Sequence, residues 1–425
     1  MKYSGVEWIG EIPENWKLNK IGQLFNLRNE KVSDKDYSPL SVSKGGIVPQ
    51  MENVAKSDAS DDRKLVLKGD FAINSRSDRK MSCGVSPLDG SVSLINTILY
   101  PKNDDVIYNN YMNYLLKNYG FAEEFYRWGH GIVADLWTTK WQEMKSIMLP
   151  LPSVQKQKAT YDFLNQKTAE IDSLIDIENQ QIEKLKEYKQ AVITEAVTKG
   201  LDKNVPLKDS GVEWIGKIPE GWNTIKIKFT SWLKGRIGWD GLKSGEFIEE
   251  GPYLITGTDF IDGGINWDTC VHISEERFME DELLHIYEND LLITKDGTIG
   301  KLAIVKDCPK KVSLNSGVMI IRNTTKWKYL DKYLYYILSS EQFYLWYGLS
   351  QSGNSTIKHL YQGQFYNFEF TYPDLNEQKK ISDYLDEKCA DIDKLIEIKK
   401  QKIDQLDEYK KSLIYEYVTG KKEVC

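Results

Sequence analysis

The chain has 425 residues, 41% of them hydrophobic and 12% aromatic, with 56 Lys plus Arg against 63 Asp plus Glu for a net charge of -7. This is enough apolar material for two ordinary cores or one large one, which excludes disorder as the main state. The negative balance excludes a protein that holds nucleic acid chiefly by neutralising phosphates, so any such contact must be local or shared with a partner. The opening residues, MKYSGVEWIGEIPENW, carry no apolar leader segment, and nowhere do eighteen uncharged apolar residues run together, so a cytoplasmic location is expected. Cys83, Cys270, Cys308, Cys389 and Cys425 lie far apart without a C-x-x-C pair, which supports neither a disulfide framework nor a zinc ribbon.

The first element is a phrase used twice. SGVEWIGEIPENW at residues 4–16 returns at residues 210–222 as SGVEWIGKIPEGW, with two substitutions in thirteen positions. Its four tryptophans, Trp8, Trp16, Trp214 and Trp222, read as core or junction packing. After the first phrase comes a variable region of mixed α/β character, in which GDFAINS and VSLINTILYPK read as strands and YMNYLLKNYGFAEEFY as an aromatic helical stretch. The second variable region echoes it with NDLLITK, VSLNSGVMIIRN and YLYYILSSEQFYLWY, and adds a hairpin signal at Asp296-Gly297.

Each variable region is followed by a second repeated segment. Residues 151–200 align without a gap on residues 372–421, with about 22 identities in 50 positions. Steps of four and three from Ile171 give Ile171, Ile175, Glu178, Ile182, Leu185, Lys189, Val192 and Ala196. The copy gives Ile392, Ile396, Lys399, Ile403, Leu406, Lys410, Leu413 and Tyr417, with its polar breaks at the same two steps. Such a seam predicts long helices, of some 35 residues each, that pair by knobs-into-holes packing. Ile182 and Leu185 are then expected near Ile403 and Leu406. Pro152 and Pro373 precede the helices and Gly200 and Gly420 follow them, as start and stop signals should. A chain that runs out along one helix and back along another relates its two halves by an approximate twofold axis. The repeat offset grows from 206 to 221 along the chain, so the second variable region holds the extra residues.

The doubled SGVEWIG and EYK segments, together with KGRIGWDGL, GPYLITGTDF, DGTIGKLAIV and SGNSTIKHL, resemble the specificity subunits of type I restriction-modification systems over nearly the whole chain. The resemblance implies α/β (α+β) target recognition domains in tandem duplicate, separated by a two-helix antiparallel coiled coil with pseudo-twofold symmetry. The expected segments are residues 1–150 and 210–371 for recognition, and residues 151–209 and 372–425 for the conserved helices. The implied partners are double-stranded DNA, two adenine methyltransferase subunits and two restriction/translocase subunits. The implied cofactors belong to those partners: S-adenosylmethionine in the methyltransferase, ATP and Mg in the nuclease. The target would be bipartite and asymmetric, because the two modules differ.

Base-edge readout needs Arg, Lys, Asn, Gln, Ser or Thr on loops entering the major groove. The first module offers Ser43 and Lys44, then Arg76, Arg79 and Lys80. The second offers Lys234, Arg236, Trp239 and Lys243, the Thr256 and Thr258 turn, Lys295 with Thr298, and Ser352, Asn354, Ser355 and Thr356. The expected helix-pairing set is Ile171, Ile175, Ile182, Leu185, Val192, Ile392, Ile396, Ile403, Leu406 and Leu413.

Enzymatic readings find little support in the residues. No Pro-Pro dipeptide exists for an amino-methyltransferase motif, and GTIGKL at residues 297–302 is two residues short of a phosphate-binding loop and ends in leucine. The same glycines spell GXXG, but between strands, where an RNA-binding KH loop joins helices. Asp374 and Glu377 lie too close in sequence for a nuclease pair, and His130, His272, His285 and His359 lack metal-ligand spacing. A non-catalytic DNA-recognition subunit is therefore favoured, and a coiled-coil adaptor that binds proteins instead of DNA is the alternative.

Overall fold

The computed structural model describes residues 1–50, 62–131, 137–236, 242–350 and 359–424. The chain divides into two units, Met1–Asn179 with Lys399–Cys425 and Gln180–Ile398. This division cuts across the four contiguous segments expected from the repeats, because each long helix is shared between the units.

In the first unit, β1 (Phe25–Arg28), β2 (Phe71–Asn74), β3 (Cys83–Val85) and β4 (Asn96–Pro101) form an antiparallel sheet in the order β3-β2-β4-β1. Side chains alternate across it. Phe71, Ile73 and Leu99 enter a core with Tyr111, Leu115, Phe121 and Phe125, whereas Ala72 and Ile98 meet Leu40, Ile47, Val66 and Val92 on the other side.

From residue 154 the chain forms α1 (Val154–Lys199), and the second unit then builds its own sheet. Here β5 (Ser231–Gly235), β6 (Leu291–Thr294), β7 (Leu302–Ile304) and β8 (Val318–Asn323) take the order β7-β6-β8-β5, again all antiparallel. Counted along the chain this is the same topology: third, second, fourth, first. The β6–β7 hairpin turns through the Asp296-Gly297 segment, as its turn residues predict, with Gly297 at φ 65°. Leu233, Leu291, Ile293 and Met319 face a core with Tyr333, Leu334, Phe343 and Trp346. Leu292 and Ile320 face Ile255, Val312 and Leu314 on the opposite side.

The two sheets share an electrostatic device. Asp70, just before β2, is buried and accepts from Arg28 Nε at 2.6 Å and from Leu67 N at 2.9 Å. Asp290, just before β6, accepts from Arg322 Nε at 2.8 Å and from Tyr287 N at 2.8 Å. The carboxylate keeps its place while the arginine comes from β1 in one sheet and β8 in the other. The hydrogen bond to Asp70 raises the pKa of Arg28 further.

The last helix, α2 (Leu375–Val418), has 44 residues and α1 has 46, longer than the heptad seam alone suggested. The extra turns lie N-terminal to the seam and start directly after the prolines. Asp374 caps α2 by accepting from Asn376 N and Glu377 N at 2.9 Å. One helical turn further on, a fully buried glutamine ties each helix to its sheet domain. Gln157 accepts from Tyr108 N and donates to Val106 O and Pro152 O; Gln378 accepts from Leu330 N and donates to Lys328 O and Pro373 O, all within 2.8–3.0 Å. At the far ends Gly200 (φ 74°) and Gly420 (φ 76°) take the left-handed conformation that stops a helix.

Helix pairing occurs within each unit. In the first, Ile171 and Leu413 are buried and Ile175 and Leu406 pack at their edge, with Asp172 bridged to Lys410 at 2.6 Å. In the second, Lys189 bridges Asp393 at 2.6 Å, and Val192 packs against the core. Ile182, Ile392 and Ile396 are buried, and Leu185 and Ile403 are half-buried. The Asp172–Lys410 register places Leu406 against the core containing Ile171, not beside Leu185 as the spacing had suggested. Trp8, Trp16 and Trp222 are buried and Trp214 packs at a core edge, so the repeated phrase serves as packing. Trp16 Nε1 donates to Glu423 and Trp222 Nε1 to Glu377, both at 3.1 Å.

Replacing Asp70 or Asp290 by Ala should cost about 3 kcal/mol, the low end for breaking a buried ion pair because each arginine stays partly wetted. Urea unfolding of the two variants should give matching losses, and near-wild-type midpoints would refute the shared role.

Candidate nucleic-acid interface and assembly surface

In the first unit the strands Leu40–Ser43 and Gly46–Pro49 form a hairpin that turns at Lys44. Ser43 Oγ donates to Gly46 O at 3.0 Å, closing the turn, and Lys44 is exposed. Lys44 lines a groove of 620 Å³ with Asn113, Lys117, Lys410 and Lys411. Lys117 was not singled out from the sequence, where it looks like one polar position of an aromatic helix; its burial in the groove lowers its pKa. The second cluster follows β2. Arg76 lies 3.2 Å and Arg79 3.5 Å from Asp78, and Lys80 bridges Glu123 at 2.9 Å. Tyr126 pins the segment by donating to Arg79 O at 3.2 Å. Arg79 is the most exposed of the three cations, at 66%.

The second unit divides its candidates. Lys243, Thr258 and Thr298 are exposed. Thr256 is half-buried and shapes its turn, with its N–H and hydroxyl both donated to the buried carboxylate of Asp259 at 2.7 and 2.9 Å. Lys234 is bridged to Asp281 at 2.8 Å. Trp239, Ser352, Asn354, Ser355 and Thr356 lie outside the described residues.

Two expectations are corrected by burial. Arg236 is only 3% exposed; its Nε donates to Leu314 O at 3.2 Å and its terminal nitrogen to Ser313 Oγ at 3.4 Å. It therefore links β5 to the strand Val312–Leu314 of the neighbouring sheet and does not reach outward. The first unit has a parallel in Arg63, 7% exposed, which donates to Ser91 Oγ at 2.8 Å and to Ser91 O at 3.0 Å on the strand Gly90–Val92. Lys295, 6% exposed, lies beneath Gly235, where an added Cβ would meet its Cε at 3.1 Å. Both side chains are walled in by the packing of strands from distant parts of the sequence.

Asp374, Glu377, His272 and His285 have structural roles. Asp374 is a helix cap and Glu377 holds Trp222. His272 and His285 bond the backbone oxygens of Gly251 and Phe278. Among the described residues no group of three or more His, Cys, Asp or Glu could hold a metal ion, and no helix is long and apolar enough to cross a membrane. Cys83, Cys270, Cys308 and Cys389 are unpaired thiols, and burial pushes Cys83 up to about 12.

The long helices carry a second surface, off the seam. Leu174, Ile177 and Tyr188 on α1 are 46%, 44% and 57% exposed; Leu395, Ile398 and Tyr409 on α2 are 48%, 51% and 55% exposed. These are the same three positions of the two repeats. Spacings of three and fourteen residues place each set on one helix face. Their signal in the sequence is identity between the repeats at positions off the seam.

Residues 238–408 match the family model described as the type I restriction modification DNA specificity domain. Over 436 aligned residues the chain is 24% identical to a putative type I restriction enzyme MjaX specificity subunit of Methanocaldococcus jannaschii, covering 97% of this chain and 95% of that one. The chain is thus similar, over nearly its whole length, to a type I restriction enzyme specificity subunit. The MjaVIII specificity subunit of the same organism is 28% identical over 283 residues, 65% of this chain and 62% of its own, and the EcoBI specificity subunit of Escherichia coli is 27% identical over 244 residues, 56% and 50%. The fold agrees with a chain from a structure of complex assembly and conformational transition of the type I R-M system, at TM-score 0.70 and 13% identity over 96% of this chain and 98% of that one. It also agrees with the HsdS subunit from Thermoanaerobacter tengcongensis, at TM-score 0.50 and 14% identity over 99% and 100%.

Arg236→Ala should lower stability by about 1–3 kcal/mol through lost buried hydrogen bonds, read as a lower unfolding midpoint. Arg79→Ala should leave the midpoint unchanged, because that side chain is 66% exposed. Equal stability of Arg236→Ala and wild type would refute this structural role of Arg236.

Proposed function

We propose that this chain is a specificity subunit that reads a bipartite, asymmetric duplex-DNA target, one half-site per sheet domain, and seats two adenine methyltransferase subunits, with two nuclease-translocase subunits joining for cleavage. The observation that carries the reading is duplication with divergence: two sheets of one topology present different loops, while the helices repeat the same exposed apolar triad. Different loops suit different half-sites. Equivalent triads suit two copies of one partner, since apolar strips left in water are an association surface.

In this reading the chain performs no catalytic step. S-adenosylmethionine would be held by the methyltransferase, and ATP with Mg by the nuclease. The net charge of -7 agrees with a reader that shares phosphate neutralisation with its partners.

Replacing residues 223–371 by the corresponding region of a related subunit should change one half of the methylated sequence and leave the other half intact in a methylome map. A swap that altered both halves, or neither, would defeat the two-reader assignment. For the partner surface, Leu174→Glu with Ile177→Glu should weaken capture of one methyltransferase subunit by at least about tenfold, and Leu395→Glu with Ile398→Glu should weaken the other. Native mass spectrometry of the assembled complex would read this as loss of one copy per pair of changes; full occupancy would place the methyltransferase elsewhere.

A further inference from the structure

The polar breaks in the helix seam differ in kind between its centre and its flanks. Asp172 and Asp393 occupy one repeat position, and Lys189 and Lys410 another. The flanking bridges Asp172–Lys410 and Lys189–Asp393 are therefore the same pair written twice. They would form equally well if either helix met a copy of itself in this register, because each helix carries both an Asp and a Lys at the required places.

The central pair has no such freedom. Glu178 and Lys399 also occupy one repeat position, yet their charges are opposite. Glu178 is 7% exposed and accepts from Lys399 Nζ at 3.0 Å and from Lys402 Nζ at 2.6 Å. Those lysines hold its carboxyl below the usual range, the hydrogen bond from Lys402 contributing most. The position matching Lys402 in the first repeat is Gln181. Two first-repeat helices would bring Glu178 against Glu178 with only glutamines nearby. Two second-repeat helices would crowd Lys399 and Lys402 from both sides. Like charges in a covered position disfavour the wrong partner more than a matched pair favours the right one.

We propose that the Glu178–Lys399–Lys402 cluster makes the helix seam heterotypic, so that a first-repeat half pairs with a second-repeat half and rejects a second copy of itself. The flanking bridges set the register and the central cluster selects the partner. This is the use of a single polar seam position to specify pairing, here through sign of charge.

The test starts from the folded full-length chain, with a protease site placed in the exposed 201–204 stretch and cleaved after folding. Two such preparations, differing in an affinity tag on the first half, are mixed and allowed to exchange, and the pairs are counted by native mass spectrometry. In wild type, pairs of like halves should be at least about tenfold rarer than in the neutral variant Glu178→Gln, Lys399→Gln, Lys402→Gln. The reversed variant, Glu178→Lys with Lys399→Glu and Lys402→Glu, should restore the selectivity, separating charge from any loss of packing. Like pairs as frequent in wild type as in the neutral variant, or a well-folded reversed variant without selectivity, would overturn the proposal.

Discussion

Neither sheet domain is completed by the stretch of sequence that encodes its strands. The core of the first unit contains Ile171 from the start of the α1 seam and Leu413 and Val418 from the end of α2. The core of the second contains Ile193 and Val197 from the end of α1 and Ile381 and Leu385 from the start of α2. The antiparallel pairing of the long helices is thus the condition for both domains, because each domain closes over one helix start and one helix end. The buried glutamines Gln157 and Gln378 tie the starts to their domains by bonding backbone groups of Val106 and Tyr108, and of Lys328 and Leu330.

This arrangement separates what must stay constant from what can vary. Sheet topology, the carboxylates before β2 and β6, the glutamine clasps and the glycine stops recur in both units. The donors that answer the carboxylates do not: Arg28 stands on a first strand and Arg322 on a fourth. The same holds for the buried arginines Arg63 and Arg236, which reach a serine of the equivalent strand from different places. A structural requirement fixes the charge at one point and leaves its supplier free. That tolerance lets the loops diverge over an unchanged frame.

Much of this frame was legible in the sequence because repeats and periodicity are local signals. GDFAINS and NDLLITK occupy matching central strands, and the helix seam and its stops follow the heptad and glycine pattern. Helix length was underread because only the seam was periodic; the turns from Val154 to Ile171 pack on a domain surface with its own spacing. Candidate readers were least legible, since a polar residue after a strand looks the same whether it faces solvent or a neighbouring sheet. Arg79 and Arg236 have similar sequence settings, and only the approach of Ser313 and Leu314, far along the chain, decides that one is exposed and the other enclosed.

The shared cores also impose an order of birth. A ribosome delivers residues 180–398 as one continuous length, so the second unit draws its core from one uninterrupted stretch of chain. The first unit, although its strands emerge earliest, must wait for Leu413 and Val418. Until they arrive, Phe121, Phe125 and Leu164 have an unfinished core. The tendency of N-terminal domains to be complete first therefore has no counterpart in this layout, since the unit whose strands are made first is the one whose core draws on the later segment.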